Sequence, residues 1–199
     1  MSLTKAQKTT NYIIETVAPI FNQNGYAATS LSDITSATGL TKGAIYGNFE
    51  NKEDLAMAAL KYNIKKVLNR IEAHMEQGNS PTEKLLLLTD FYRNYYHFSQ
   101  ELGGCPIINV GVDANNQNDA FMKKVQDVIE LIEHYLAKLI DEGKEIGEIR
   151  KTIMSQTYAK RFYSLLQGAT FMAQTMKDNS YIHDAANVIS DTINQRFRV

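Results

Sequence analysis

Apolar residues in this chain recur at helical spacing, in several separate runs, and scarcely ever alternate with polar ones. Leu85, Leu88, Tyr92, Tyr95, Tyr96 and Ser99 share one helical face. Phe121, Val125, Val128, Ile129, Ile132, Leu136, Leu139 and Ile140 form a longer stripe. Met154, Tyr158, Phe162, Leu165, Ala169, Met172 and Met176 make a third, and Ile182, Ala185, Ile189, Ile193 and Phe197 a fourth. A stripe of this kind makes one side of a helix apolar and demands a partner surface, so the pattern predicts an all-α protein with a core built between long helices. The missing alternation excludes a parallel sheet and the nucleotide crevice at its carboxyl edge.

The breaks between stripes divide the chain in two. From Lys5 to about Asn51 the helical pieces are short, interrupted by Gly25, Gly39, Gly43 and Gly47, whereas the pieces from Lys52 onward are long. Ser80-Pro81-Thr82-Glu83 is a helix start: Ser80 caps, Pro81 fits the first turn, and Glu83 returns the capping bond. The helix beginning there is expected to run on to Gly103-Gly104, and the helix from Phe121 to end at Gly143 and the polar Lys144–Glu148 connection. The expected domains are therefore 1–51, three helices, and 52–199, a larger helical body.

The most informative stretch is Tyr26 to Leu55. Ser30 and Asp33 form a capping box ahead of Leu31, Ile34 and Ala37, which gives a helix of about two turns. Thr38-Gly39-Leu40 then supplies a turn, with Gly39 free to take the left-handed conformation, and Thr41 caps a second short helix from Lys42 to about Asn48. Two short helices on a tight glycine turn make a helix-turn-helix candidate, although such a turn is by itself more commonly plain helical packing. The composition of the second helix suits DNA: Gly43 and Ala44 permit close approach to a groove, Lys42 offers a cation, and Tyr46 and Asn48 carry hydrogen-bonding groups. Asn51 and Asp54 form a further capping box, which puts Lys52 in the first turn of the next helix beside exposed amides that could seat a phosphate.

Phe21, Gly25-Tyr26, Thr29-Ser30, Asp33-Ile34, Gly39-Leu40-Thr41-Lys42-Gly43, Ile45-Tyr46, Asn48-Phe49 and Lys52-Glu53-Asp54-Leu55 together resemble the DNA-binding domain of the tetracycline-repressor (TetR) family. The resemblance is continuous from about Ile13 to Leu55; over the rest of the chain it extends to helix count, length and order. It implies a ligand-responsive transcriptional regulator, most often a repressor, released from its operator by a small apolar or aromatic molecule. It also implies DNA contacts at Thr29, Ser30, Thr41, Lys42, Gly43, Ala44, Tyr46, Asn48 and Lys52, and a near-palindromic double-stranded operator. Two positions depart from the pattern: Pro19 lies inside the first helix, and Asn48 stands where histidine is common.

The larger body is rich in aromatic residues, which most often means core. Several are tyrosines, whose apolar ring and hydroxyl also suit a pocket that orients a partly polar ligand. The resemblance implies such a pocket, with Phe91, Tyr92, Tyr95, Tyr96, Cys105, Ile108, Asn109, Val112, Tyr158 and Phe162 as its expected lining. Gly168, Ala169 and Ala173 leave room for close helix approach. This is equally an intrachain core, and the resemblance turns it into a homodimer interface through Leu165, Ala169, Met172, Ala173, Ile189 and Ile193.

Composition changes the picture little. The chain has 199 residues, 22% charged, with a net charge of -1. Within residues 1–52, Lys5, Lys8, Lys42 and Lys52 face Glu15, Asp33 and Glu50, a balance well short of a basic nucleic-acid module, so charge alone does not point to DNA. No apolar run approaches the roughly 18 to 20 residues of a membrane span, and one cysteine, Cys105, cannot form an internal disulfide, so a reducing cytoplasm and no membrane partner are expected. Cys105 follows two glycines near a helix start, a place where a thiol can be activated, but no basic residue adjoins it and an inert buried thiol is expected. His74, His97, His134 and His183 lack metal-site spacing, and no nucleophile, base and orienting group fall at a recognisable spacing. No metal, cofactor or enzymatic activity is expected. The rival readings are a helical enzyme using tyrosine, His97 and Cys105, and a module that binds a partner helix on its aromatic face.

Overall fold

The computed structural model describes residues 4–115 and 117–199; the opening Met-Ser-Leu, to which no function is attached, and Asn116 lie outside the described residues. The described residues form α1 (Lys5–Asn24), α2 (Leu31–Thr38), α3 (Lys42–Tyr46), α4 (Lys52–Met75), α5 (Pro81–Arg93), α6 (Tyr95–Gln100), α7 (Pro106–Asp113), α8 (Asp119–Glu145), α9 (Ser155–Met176) and α10 (Ser180–Thr192), then one π-helical turn over Ile193–Phe197. Among the described residues there is no strand, only a single antiparallel bridge between Ile149 and Arg198. The fold is all-α, with a helix-turn-helix at its amino-terminal end.

The chain divides into two compact units. One comprises residues up to Val67 together with Ser99–Met122; the other comprises Leu68–Phe98 and Lys123–Val199. This grouping differs from a boundary at 51/52, because the start of α4 and all of α7 pack with α1.

In the first unit, Thr4 begins α1 with a reciprocal capping box to Gln7. The helix passes Pro19 without a break and buries Ile13, Val17, Ala18 and Phe21. Proline has no N–H to donate, yet the helix continues to Asn24 because its apolar face is held by packing rather than by that one bond. Gly25, at φ +83°, then turns the chain. The side-chain amide of buried Asn63 on α4 donates to the Ala18 carbonyl at 2.9 Å.

In the second unit, Ser80 caps α5 by accepting from the Glu83 amide, while Glu83 returns its bond to the Asn79 amide at 2.7 Å instead of to Ser80. The helix expected to reach Gly103 is broken at Asn94. There the Asn94 amide tightens onto the Phe91 carbonyl, and the Asn179 side chain captures the Arg93 carbonyl at 3.0 Å, which gives that carbonyl a partner outside its own helix. On α9 the buried face is Ser155, Ala159, Phe162, Tyr163, Leu166, Ala169, Thr170 and Ala173. The stripe read from sequence was thus rotated: Leu165, Met172 and Met176 point outward. α10 packs on α9 and α5, burying Ile182, Ala185, Ala186 and Ile189. Phe197, expected on the last turn of that helix, instead sits in the π-helical turn, stacked on Phe162 at 5.7 Å and edge-on to Tyr158 at 4.9 Å.

Candidate nucleic-acid interface

Each element of the amino-terminal motif is set by a local bond. Ser30 accepts from the Asp33 amide, and the Asp33 carboxylate accepts in return from the Ser30 amide and hydroxyl at 2.8 and 2.7 Å. These bonds, the hydroxyl first, hold the Asp33 carboxyl below the usual carboxylate range. Gly39 ends α2 at φ +67°, in the left-handed region expected for it. Thr41 then caps α3 by accepting from the Ala44 amide at 3.2 Å. Ile34, Ile45 and Phe49 are buried between the helices, so the turn between α2 and α3 is fixed from inside.

That packing leaves the start of α3 outermost. Thr41, Lys42 and Gly43 are exposed, Ala44 and Tyr46 half-buried, and a Cβ built on Gly43 would meet nothing nearer than the Thr41 hydroxyl at 3.9 Å. The Lys42 ammonium lies 6.0 Å from the centre of the Tyr46 ring. α3 ends at Tyr46, two residues before the expected end, and Asn48 lies beyond it. The Asn48 side chain accepts from the Thr10 hydroxyl at 2.8 Å and donates to the Ala44 carbonyl at 2.9 Å. It fastens α3 to α1, a task its sequence position did not suggest. Tyr12, also unpredicted, donates its hydroxyl to the Thr38 carbonyl at 2.9 Å and ties α2 to the same helix.

Lys52 stands in the first turn of α4. Its ammonium is 4.7 Å from the centre of the Tyr26 ring and 3.4 Å from the Ala27 carbonyl. Asn51 caps the helix by accepting from the Asp54 amide at 2.9 Å, but Asp54 returns its bond to Glu50 instead of Asn51. Two expected contact residues use their hydroxyls within the protein. Thr29 is completely buried and donates its hydroxyl to the Gly25 carbonyl at 2.8 Å, so that hydroxyl is structural. Ser30 is exposed but uses its hydroxyl in the α2 cap.

The residues read as a ligand lining fall in both units. Phe91, Tyr92 and Tyr95 cluster with Phe98 in the second unit, with ring centres 5.1 to 6.2 Å apart, and Tyr92 and Tyr95 are buried. Tyr96 is half-buried, its ring 5.4 Å from that of His97. Tyr158 and Phe162 pack instead with Phe197. Cys105, Ile108, Asn109 and Val112 belong to the first unit. Cys105 is buried at the start of α7, Ile108 is half-buried, and Val112 is 69% exposed, so Val112 is not a wall within its unit. The Asn109 amide nitrogen donates to the carbonyls of Asn22 and Gly103 at 2.9 and 3.0 Å, leaving its oxygen for any further partner.

The expected dimer residues also separate. Ala169, Ala173, Ile189 and Ile193 are interior to the chain and cannot meet a partner without opening its own core. Leu165 and Met172 are exposed, and the same side of α9 carries Phe171 and Met176, 36% to 56% exposed as a group, with open space around Gly168 between them. The spacing of Phe171 and Met176 from Leu165 and Met172 shows that all four share the outward face once the buried face is known.

A solvent-facing second helix held on a packed turn has the geometry of a helix-turn-helix. Comparison with known proteins gives its kind. Residues 13–59 match the model of the bacterial regulatory proteins of the tetR family, and residues 81–189 match the tetracyclin repressor-like carboxyl-terminal domain. The chain belongs to the TetR family of transcriptional regulators, which are not enzymes. A TetR-family regulator from Cytophaga hutchinsonii superposes with a TM-score of 0.91 at 34% identity, covering 100% of this chain and 99% of that one. Another, from Chloroflexus aurantiacus, gives 0.94 at 30% identity and covers 99% and 100%. The repressor DhaR of a Mycobacterium species is 23% identical over 92% of this chain and 90% of its own length. No helix among the described residues is long and apolar enough to cross a membrane, and no cluster of metal-ligating side chains is found among them.

Proposed function

We propose that the protein is a cytoplasmic homodimeric repressor that leaves its operator when a small aromatic or amphipathic molecule binds. The observation that carries the DNA half is the exposed start of α3, Thr41, Lys42 and Gly43, standing on the buried Ile34, Ile45 and Phe49. Gly43, Ala44 and Lys42 enter the major groove, and Tyr46 and Lys52 contact phosphates. Ser30, whose amide and hydroxyl are taken up by Asp33, starts α2, and Thr29 and Asn48 hold the helices in place.

The dimer forms through the outward face of α9, Leu165, Phe171, Met172 and Met176, since a contiguous apolar patch of this kind is costly to leave in water. Two-fold symmetry then calls for a near-palindromic operator with half-site centres about 34 to 36 Å apart, or a somewhat larger groove spacing. The effector is assigned to the aromatic body carrying Tyr92, Tyr95 and Tyr96. Relatives support an effector with an apolar part: the structure of FadR from Bacillus subtilis, which shares this fold at a TM-score of 0.73, is a complex with stearoyl-CoA. The effector must bind the form with mispositioned recognition helices more tightly than the DNA-bound form, or it releases nothing.

A gel shift with the DNA upstream of the protein's own gene tests the reading. A retarded, competitor-resistant complex is expected; no specific complex with that DNA or with any duplex from a random pool overturns it.

A further inference from the structure

Lys52 is held by more than its own helix. Its ammonium rests on the Tyr26 ring, and Tyr26 and Glu53 are each held in turn by residues of α7 and the start of α8, in the same compact unit. At the end of α7 the Asp113 carboxylate accepts from the Tyr26 amide at 2.8 Å. It lies so close to the turn that a Cβ on Gly25 would come within 2.8 Å of it, so glycine there serves clearance as well as positive φ. Phe121, near the start of α8, packs its ring 5.6 Å from that of Tyr26. Asn118 uses both ends of its side chain: its oxygen accepts from the Phe121 amide at 3.1 Å, capping α8, and its nitrogen donates to Glu53, next to Lys52, at 2.8 Å. Behind these, Asn22 donates to the carbonyls of Leu102 and Gly104 at 2.7 and 2.9 Å, anchoring the chain that leads into α7.

The geometry points to Asp113 and Asn118 as positioning residues for DNA binding: they fix Tyr26 and Glu53, and through them the place of the Lys52 ammonium. The role rests on the reading of Lys52 as a phosphate contact. The side chains of both are engaged within the protein, by Tyr26 and by Phe121 and Glu53. Both residues lie on the stretch of chain, residues 99–122, that continues at either end into the aromatic unit.

Charge separates this role from bulk electrostatics. Asp113→Ala removes a negative charge, which by itself tightens binding to a polyanion. Loss of the clasp does the opposite. Binding is measured by titration at several salt concentrations, with the duplex that the unmodified protein enriches most from a random pool. Asp113→Ala is expected to bind that duplex roughly three- to tenfold more weakly, less than the full worth of a hydrogen bond to a charged group because the DNA feels only the placement of Lys52.

Asn118→Asp keeps the α8 cap and sets two carboxylates against each other, so it too weakens binding. Adding Glu53→Gln restores affinity at unchanged net charge, since donor and acceptor have only changed sides. In a Lys52→Ala background both effects fall to less than about twofold, because there is no ammonium left to place.

The same loss in both backgrounds, tighter binding by Asp113→Ala, or no rescue by Glu53→Gln overturns the positioning role while leaving the DNA-binding reading intact. If the unmodified protein enriches no duplex, the functional reading falls and the positioning role with it. If Asp113→Ala does not fold by circular dichroism, the Asn118→Asp and Glu53→Gln pair, compared with and without Lys52→Ala, decides, as a bulk charge effect persists without Lys52 and a positioning effect does not; both side chains lie at the surface or partly so.

Discussion

Lys52 and Tyr46 are separable at the level of single side chains. If Lys52 neutralises a phosphate, Lys52→Ala weakens binding to all duplexes alike and lowers the slope of log K against log salt by about one, whereas Tyr46→Phe weakens binding with little change in slope. Titrations at four or five salt concentrations give both numbers, and an unchanged slope for Lys52→Ala removes it from the DNA surface. Asp33 offers a pH signature. Its folded carboxyl lies below the usual value of 3.8 because Ser30 donates to the carboxylate. Its stabilising effect is therefore full above that value and is lost as pH falls through the lower folded one. Asp33→Ala should lower the melting temperature at neutral pH, and the gap to the unmodified protein should close in strong acid. A gap constant down to the lowest pH would show that the carboxylate does not hold the start of α2.

Whole elements depend on a few tertiary contacts. Phe197 closes the second unit against Tyr158 and Phe162, and the neighbouring backbone is fixed by the Arg150 amide donating to the Phe197 carbonyl at 2.8 Å. Phe197→Ala should destabilise by about 3 to 5 kcal/mol, the usual cost of emptying a buried aromatic site. Urea unfolding measures it, and a loss under about 1 kcal/mol would mean that this turn is dispensable to the core. In the first unit, Gly103 at φ +76° lies so close to α1 that a Cβ would sit 2.6 Å from the Pro19 carbonyl. Gly103→Ala combines a strained backbone with a clash, so about 1 to 3 kcal/mol should be lost from the strain alone. Denaturant unfolding should report that loss, and a neutral substitution would show that the loop moves freely away from α1.

For the whole molecule, the outward face of α9 predicts an assembly. Leu165→Glu with Met172→Glu should convert a dimer to a monomer at micromolar concentration, read by light scattering, with helix content retained because neither side chain is in the core. A doubly substituted protein that still weighs as a dimer would place the interface elsewhere. Ala173→Glu or Ile189→Glu, by contrast, should unfold the chain, since both sites are interior.

Helix periodicity, the Ser30 and Thr41 caps and the Gly39 turn were all legible in the sequence, because each is decided within a few residues by backbone geometry and local hydrogen bonds. So was the exposed start of α3, through the spacing that the family resemblance rests on. What depended on distant partners was not legible. The break at Asn94 follows from a side chain 85 positions further along the chain, at Asn179, taking the Arg93 carbonyl. The direction faced by Leu165 and Met172 follows from which side of α9 meets α10, a choice that two similarly apolar faces leave undecided until the helices pack. Thr29 looks like a surface hydroxyl until the packing of the first unit buries it completely. The bonds from Asp113 to Tyr26 and from Asn118 to Glu53 join residues far apart in the chain, and no local pattern marks them. Local chemistry thus determined that this chain is helical and carries a helix-turn-helix, whereas tertiary packing alone decided which side chains remain free to act, because burial and partner choice are properties of surfaces that only the folded chain brings together.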